Sequence, residues 1–115
     1  PDAVAAAIRD HAAPRAAADP LPASMAGRVL GLADRLDTIT GCFLAGLKPT
    51  GSQDPYALRR GGNGAVRISA ELPGVHMEPL LDVALNGYAA VLGAGELDAR
   101  IARIQAGRDA ASGQR

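Results

Sequence analysis

The chain has 115 residues, which is one domain at most or a piece of a longer chain. Twelve Lys and Arg against twelve Asp and Glu leave the formal charge at zero, so no overall field draws it toward nucleic acid or a membrane surface. A single cysteine, Cys42, excludes an internal disulfide and a cysteine-based zinc site, and no apolar run is long enough to span a bilayer.

Asp2 to Ala12 reads as a helix with a weak apolar stripe of Val4, Ile8 and alanines, and Asp2 suits the positive end of its dipole. His11 falls in its last turn, where it is either a ligand or phosphate-contacting imidazole or a histidine favoured near a helix C-terminus. Pro14 to Ser24 carries three prolines and reads as a stiff, ordered loop. Ser24 can cap the next helix, expected over Met25 to Leu47, with Val29, Leu32, Ala33, Leu36, Ile39, Phe43 and Leu47 as its core stripe. Asp34 and Asp37 share one face of that helix. Paired carboxylates can serve acid/base or metal chemistry, or they can be anchored by Arg35 or another arginine, which is the reading the residues alone favour. Cys42 lies within the apolar pattern and reads as a small buried hydrophobe.

Lys48 to Gln53, KPTGSQ, is a loop. It is not a phosphate-cradling P-loop, because no Gly-Lys-Ser/Thr triplet leads into a helix. Asp54-Pro55 carries the cap and first-turn proline of a third helix, whose face is Leu58, Gly61, Ala65, Ile68 and Leu72. Gly61, Gly62 and Gly64 weaken that helix, which suggests close approach by a neighbour or a break. Lys48, Arg59, Arg60 and Arg67 face one acid, Asp54, across this stretch, which reads as the only concentration of positive charge in the chain. Phosphate binding and a salt-bridged face both explain it. Pro73-Gly74 is a break, a helix is expected over Pro79 to Leu92, and a final one over Glu96 to Arg108 pairs Glu96 with Arg100. The narrow stripe of Leu97, Ile101 and Ile104 suits docking on a partner surface, and Ser112 to Arg115 is expected to fray. The fold class is all-α, with about five helices.

Residues 28–68 contain Leu32-Ala33-Asp34-Arg35-Leu36-Asp37-Thr38, then Gly41 and Phe43, Pro49 to Ser52, Asp54 to Arg60, and Gly64, Arg67 and Ile68. This run resembles the β subunit of the bacterial heterotetrameric glycyl-tRNA synthetase. That family carries L-A-D-K/R-L-D-T, G-x-F, P-T-G-S-x-D-P-F/Y-A-L-R-R and G-x-x-R-I in the same order. His11, Pro14, Arg15, Asp19, Leu21 and Pro22 fit the preceding pattern, so the resemblance covers about residues 4–70.

The resemblance implies an HD-domain-like helical bundle in residues 1–72, with residues 73–115 as helices leading toward the anticodon-binding region. It implies a fragment of a longer chain, consistent with a start at Pro1, and a cytoplasmic protein with no membrane segment. The expected partners are tRNA(Gly) and the α subunit, which uses ATP and Mg to activate glycine. This segment is then expected to bind no cofactor and to carry no catalytic residue. Lys48, Arg59, Arg60 and Arg67 would meet tRNA phosphates, or Arg59 and Arg60 would pair with Asp34 or Asp37. Asp34 also resembles the last aspartate ligand of HD phosphohydrolases, but neither His11 nor His76 is followed by Asp, so His11, Asp34 and Asp37 read as a structural or vestigial HD site and no metal is expected. Two alternatives stand beside this reading: a metal-dependent phosphohydrolase, and a non-catalytic helical assembly module.

Overall fold

The computed structural model describes residues 1–113. It is all-α: α1 (Asp2–Asp10), α2 (Met25–Leu44), α3 (Leu58–Ala70), α4 (Met77–Asn86), the single turn α5 (Ala89–Leu92) and α6 (Ala94–Gly113). Five helices of nine residues or more and one extra turn match the expected number. The helix expected over Pro79–Leu92 starts earlier, at Met77, and is interrupted at Gly87-Tyr88. The last helix is longer than expected and continues through Ser112 and Gly113. Of the frayed end expected there, Gln114 and Arg115 lie outside the described residues.

α2 is the centre of the molecule, with α1, α3, α4 and α6 all packed against it. Its start follows local chemistry: Ser24 is extended, and its Oγ accepts the Gly27 backbone N–H at 3.0 Å. Its core side is narrower than the expected stripe. Leu32, Leu36, Thr40 and Leu44 are buried at four-residue steps, whereas Val29, Ala33 and Leu47 are exposed. Thr40 belongs in this row because its hydroxyl donates to the Leu36 carbonyl at 2.7 Å, leaving only its methyl to pack. Cys42 is half-buried rather than buried, with a free thiol.

The core proper is Leu32, Leu36, Ala65, Ile68 and Leu72, with Leu80, Leu81 and Ala84 of α4 packed on it. Ile68 is completely buried, at the point where α3 meets α2. The proline loop is ordered as expected. Pro22 is fully buried, its carbonyl accepts Arg28 Nε at 2.8 Å, and the Asp19 carboxylate accepts the Arg15 and Ala16 backbone N–H groups.

The third helix begins three residues later than the Asp54-Pro55 pattern suggests. Ala57 takes a left-handed conformation, φ +53, which breaks the chain between the proline and the helix. Asp54 still caps it: its two oxygens accept the Leu58 and Arg59 N–H groups, each at 2.8 Å. These backbone hydrogen bonds, that of Arg59 foremost, hold the Asp54 carboxyl below its ordinary pKa.

Candidate nucleic-acid interface

The residues singled out from the sequence fall into three settings. The first surrounds Arg35, whose guanidinium lies between the end of α1, the following loop and α2. Nη1 donates to the carbonyls of His11 (3.0 Å) and Gly31 (3.1 Å), and Nη2 to those of Ala12 (3.0 Å) and Pro14 (3.1 Å). Four carbonyls thus satisfy a part-buried cation that has no carboxylate within ion-pair distance among the described residues. Burial lowers the pKa of Arg35, and nearby Asp34 opposes this. Two glycines make the arrangement possible. A Cβ on Gly64 would lie 2.7 Å from Arg35 Nε, and one on Gly31 would lie 2.7 Å from the His11 carbonyl oxygen. The close approach expected for the α3 glycines therefore occurs at Gly64, while Gly62 faces open space. His11 sits at the C-terminus of α1, its Nδ1 on the Ile8 carbonyl oxygen.

Asp34 and Asp37 do not act as a pair. Asp34 lines a cleft of about 300 Å³ together with Arg15, Arg35, Thr38, Tyr56 and Arg60. Asp37 is turned to the other side, where Tyr88 Oη donates to its Oδ1 at 2.9 Å and its carbonyl oxygen at 3.0 Å. Burial, followed by this hydrogen bond to a carboxylate, raises the Tyr88 pKa. Gly41 makes room for the phenol, since a Cβ there would collide with Tyr88 Oη. The ion pairing of Asp34 or Asp37 with Arg59 or Arg60 is absent among the described residues. No group of three or more His, Cys, Asp or Glu side chains gathers among them either.

The second setting is the start of α3. Arg59 and Arg60 are exposed, and Arg60 reaches the Arg15 carbonyl at 3.4 Å, on the rim of the cleft. Arg67, two turns on, is turned inward. Its Nη2 donates to the Asp19 carbonyl at 2.8 Å, which ties the proline loop to α3, and its Nη1 is buried with no hydrogen-bond partner. The third setting holds Lys48, which stands apart from Arg59 and Arg60. It lines a groove of about 750 Å³ with Arg100, Arg103 and Arg108 of α6. Those three arginines lie outside the 48–67 window in which sequence reasoning sought positive charge. Their three- and five-residue spacing along α6 was the signal that could have found them. None of Lys48, Arg59, Arg60 and Arg67 is ion-paired among the described residues.

The family model described as "Glycyl-tRNA synthetase beta subunit" matches residues 1–109, which places the chain among subunits of the aminoacyl-tRNA synthetases. Within that class, the chain belongs to the glycyl-tRNA synthetase beta subunit family. It is similar to the glycine–tRNA ligase beta subunit of Moorella thermoacetica, 66% identical over 64 residues, which are 56% of this chain and 9% of that protein. It is similar also to those of Trichodesmium erythraeum, 51% identical over 90 residues (76% of this chain, 12% of that protein), and Magnetococcus marinus, 44% identical over 87 residues (76% and 12%). The chain thus spans about a tenth of the length of these relatives. The family match reaches residue 109, beyond the residue 70 at which the motif resemblance ends, so α4, α5 and most of α6 belong to the same family segment.

Proposed function

We propose that this chain is a tRNA-facing segment of a glycine–tRNA ligase β subunit, which helps hold tRNA(Gly) while glycine is activated with ATP and Mg on the α subunit. In this reading the segment has no catalytic side chain, belongs to a cytoplasmic heterotetramer, and retains an HD-type bundle without its metal. Residues 1–72 form the later part of that bundle, and residues 73–115 lead toward the anticodon-binding region. No described helix is long and apolar enough to cross a membrane.

The observation that carries the proposal is the exposure of Arg59 and Arg60, unpaired among the described residues, with Arg60 lining a cleft that Arg15 also lines. Exposed guanidiniums of this kind meet phosphates by shape and charge, with no base code required. Arg67, expected beside them, contributes from within by fixing the Asp19 loop through its carbonyl contact. The test uses the full two-subunit enzyme. Replacing both Arg59 and Arg60 by Ala is expected to weaken tRNA binding and reduce the salt-dependence slope by about 2. Arg67→Ala is expected to lower the melting temperature and leave the slope unchanged. Unaltered tRNA affinity in the Arg59/Arg60 variant, with weaker α-subunit association, would instead make the segment an assembly module.

A further inference from the structure

The groove between the end of α2 and α6 is absorbed neither by the cleft nor by the family motifs. Its floor is apolar, formed by Phe43, Leu44 and Ile104, and its rim carries Lys48, Arg103 and Arg108 as well as Arg100. Arg100 is already committed: Nε pairs with Glu96 at 2.7 Å, and Nη1 donates to the Leu44 carbonyl at 2.9 Å. Arg103 touches the same Glu96 oxygen only at 3.5 Å and keeps most of its side chain in water. Lys48 and Arg108 have no ion-pair partner among the described residues. Among the described residues Glu96 is the one acid ion-paired with these cations, and its pKa is lowered chiefly by the Arg100 hydrogen bond. The groove therefore keeps an excess of positive charge in a chain whose total is zero.

A cationic rim alone would suit any phosphate backbone. The apolar floor narrows the choice. Phe43 is half-buried and lines the groove, so part of its ring is open to a flat apolar partner. A nucleobase offers such a partner only when it is unstacked and unpaired, because in an A-form duplex the bases are turned away from side chains of this kind. Base stacking on an aromatic ring, with arginines along the backbone, is the general means of holding single-stranded RNA.

We infer that the α2–α6 groove is a site for unpaired RNA, with a base seated on Phe43 and Ile104 and its flanking phosphates on Lys48, Arg103 and Arg108. This rests on the proposal that the chain serves tRNA. It adds a second contact, at the end of α2 and on α6 rather than at Arg59 and Arg60 of α3, and assigns it to a non-duplex part of the RNA.

The full two-subunit enzyme can be titrated with a labelled unpaired oligonucleotide about ten nucleotides long, with a blunt RNA duplex and with tRNA, at several salt concentrations. Replacing both Arg103 and Arg108 by Ala is expected to weaken binding of the unpaired RNA about tenfold and reduce its salt slope by about 1.4. Phe43→Leu keeps the apolar floor but removes the ring, so a loss of about tenfold is expected with the slope unchanged. Duplex binding is expected to change little in either variant. Unchanged unpaired-RNA binding in the arginine variant overturns the inference whatever Phe43→Leu does, since both arginines are exposed and their loss leaves the core intact. An equal loss for duplex overturns the assignment to unpaired RNA, and weakened α-subunit association with intact RNA binding overturns it in favour of a protein occupant. The Arg59/Arg60 variant in the same titration separates the two claims. If it weakens tRNA binding while the groove variants do not, only the groove inference falls; if neither set has an effect, both fall.

Discussion

Arg35 shows how much one side chain can do without an anionic partner. Its four carbonyl acceptors come from the end of α1, the loop after it and α2 itself. A lysine has the charge but not the planar fork, so it cannot reach four acceptors in these directions. Arg35→Lys is expected to cost about 2 kcal/mol, measured by denaturant unfolding, with most of the loss traced to buried carbonyls left without a donor. The Tyr88–Asp37 contact makes a second prediction at this scale. Tyr88→Phe is expected to cost about 1 kcal/mol through its lost hydrogen bonds. Gly41→Ala pushes against the phenol oxygen, so its penalty is expected to shrink when Tyr88 is replaced by Ala. A double-mutant cycle with purely additive penalties would show that the phenol is not seated on Gly41. The sequence made Gly64 and Asp37 worth naming, but not their partners, because an arginine on another helix or a tyrosine 51 residues away leaves no trace in local spacing.

Among the elements, α2 was the most legible. Its Ser24 cap and four-residue apolar step are local rules, and the structure follows both. Its outer positions were misread because periodicity identifies an apolar face without saying how much of it a neighbour covers; Val29 and Leu47 remain in water. The start of α3 was legible as chemistry and misplaced in position. Asp54 caps it, but across the left-handed Ala57 that no propensity rule anticipates. The depressed Asp54 pKa gives a prediction with a definite sign. A carboxyl whose pKa is lower folded than unfolded adds stability above its ordinary value of 3.8, and that stability is lost as pH falls through the folded value. The protein is therefore expected to be more stable than its Asp54→Asn variant at pH 7, with the difference closing below about pH 4. Thermal melts of both proteins across that range would check it, and a difference constant with pH would count against the cap.

At the scale of the whole molecule, charge and packing are distributed differently. The total charge is zero, yet exposed cations collect in two places: the cleft beside α3 and the groove beneath α6. Composition could not show this, since it averages over surfaces that only the fold brings together. Packing centres on α2, and α6 is held at one end, by buried Leu97 and the Arg100 link to the Leu44 carbonyl. Leu97→Ala is expected to cost about 3 kcal/mol, and hydrogen exchange is expected to quicken along α6 before it does in α2 and α3. Simultaneous loss of protection in all three helices would instead make α6 part of a single cooperative core.

The Arg35 clamp has one more consequence, for how freely the chain can change. Its acceptors are all backbone oxygens, and every residue type supplies one. His11 and Ala12 can therefore exchange their side chains without loosening the clamp, provided the chain keeps its path, whereas the single donor at position 35 has no substitute of equal reach. In a saturation library selected for folding, tolerance should be broad at the half-exposed positions 11 and 12 and nearly absent at 31, 35 and 64. Those last three positions are the donor and the two glycines on which its neighbours close.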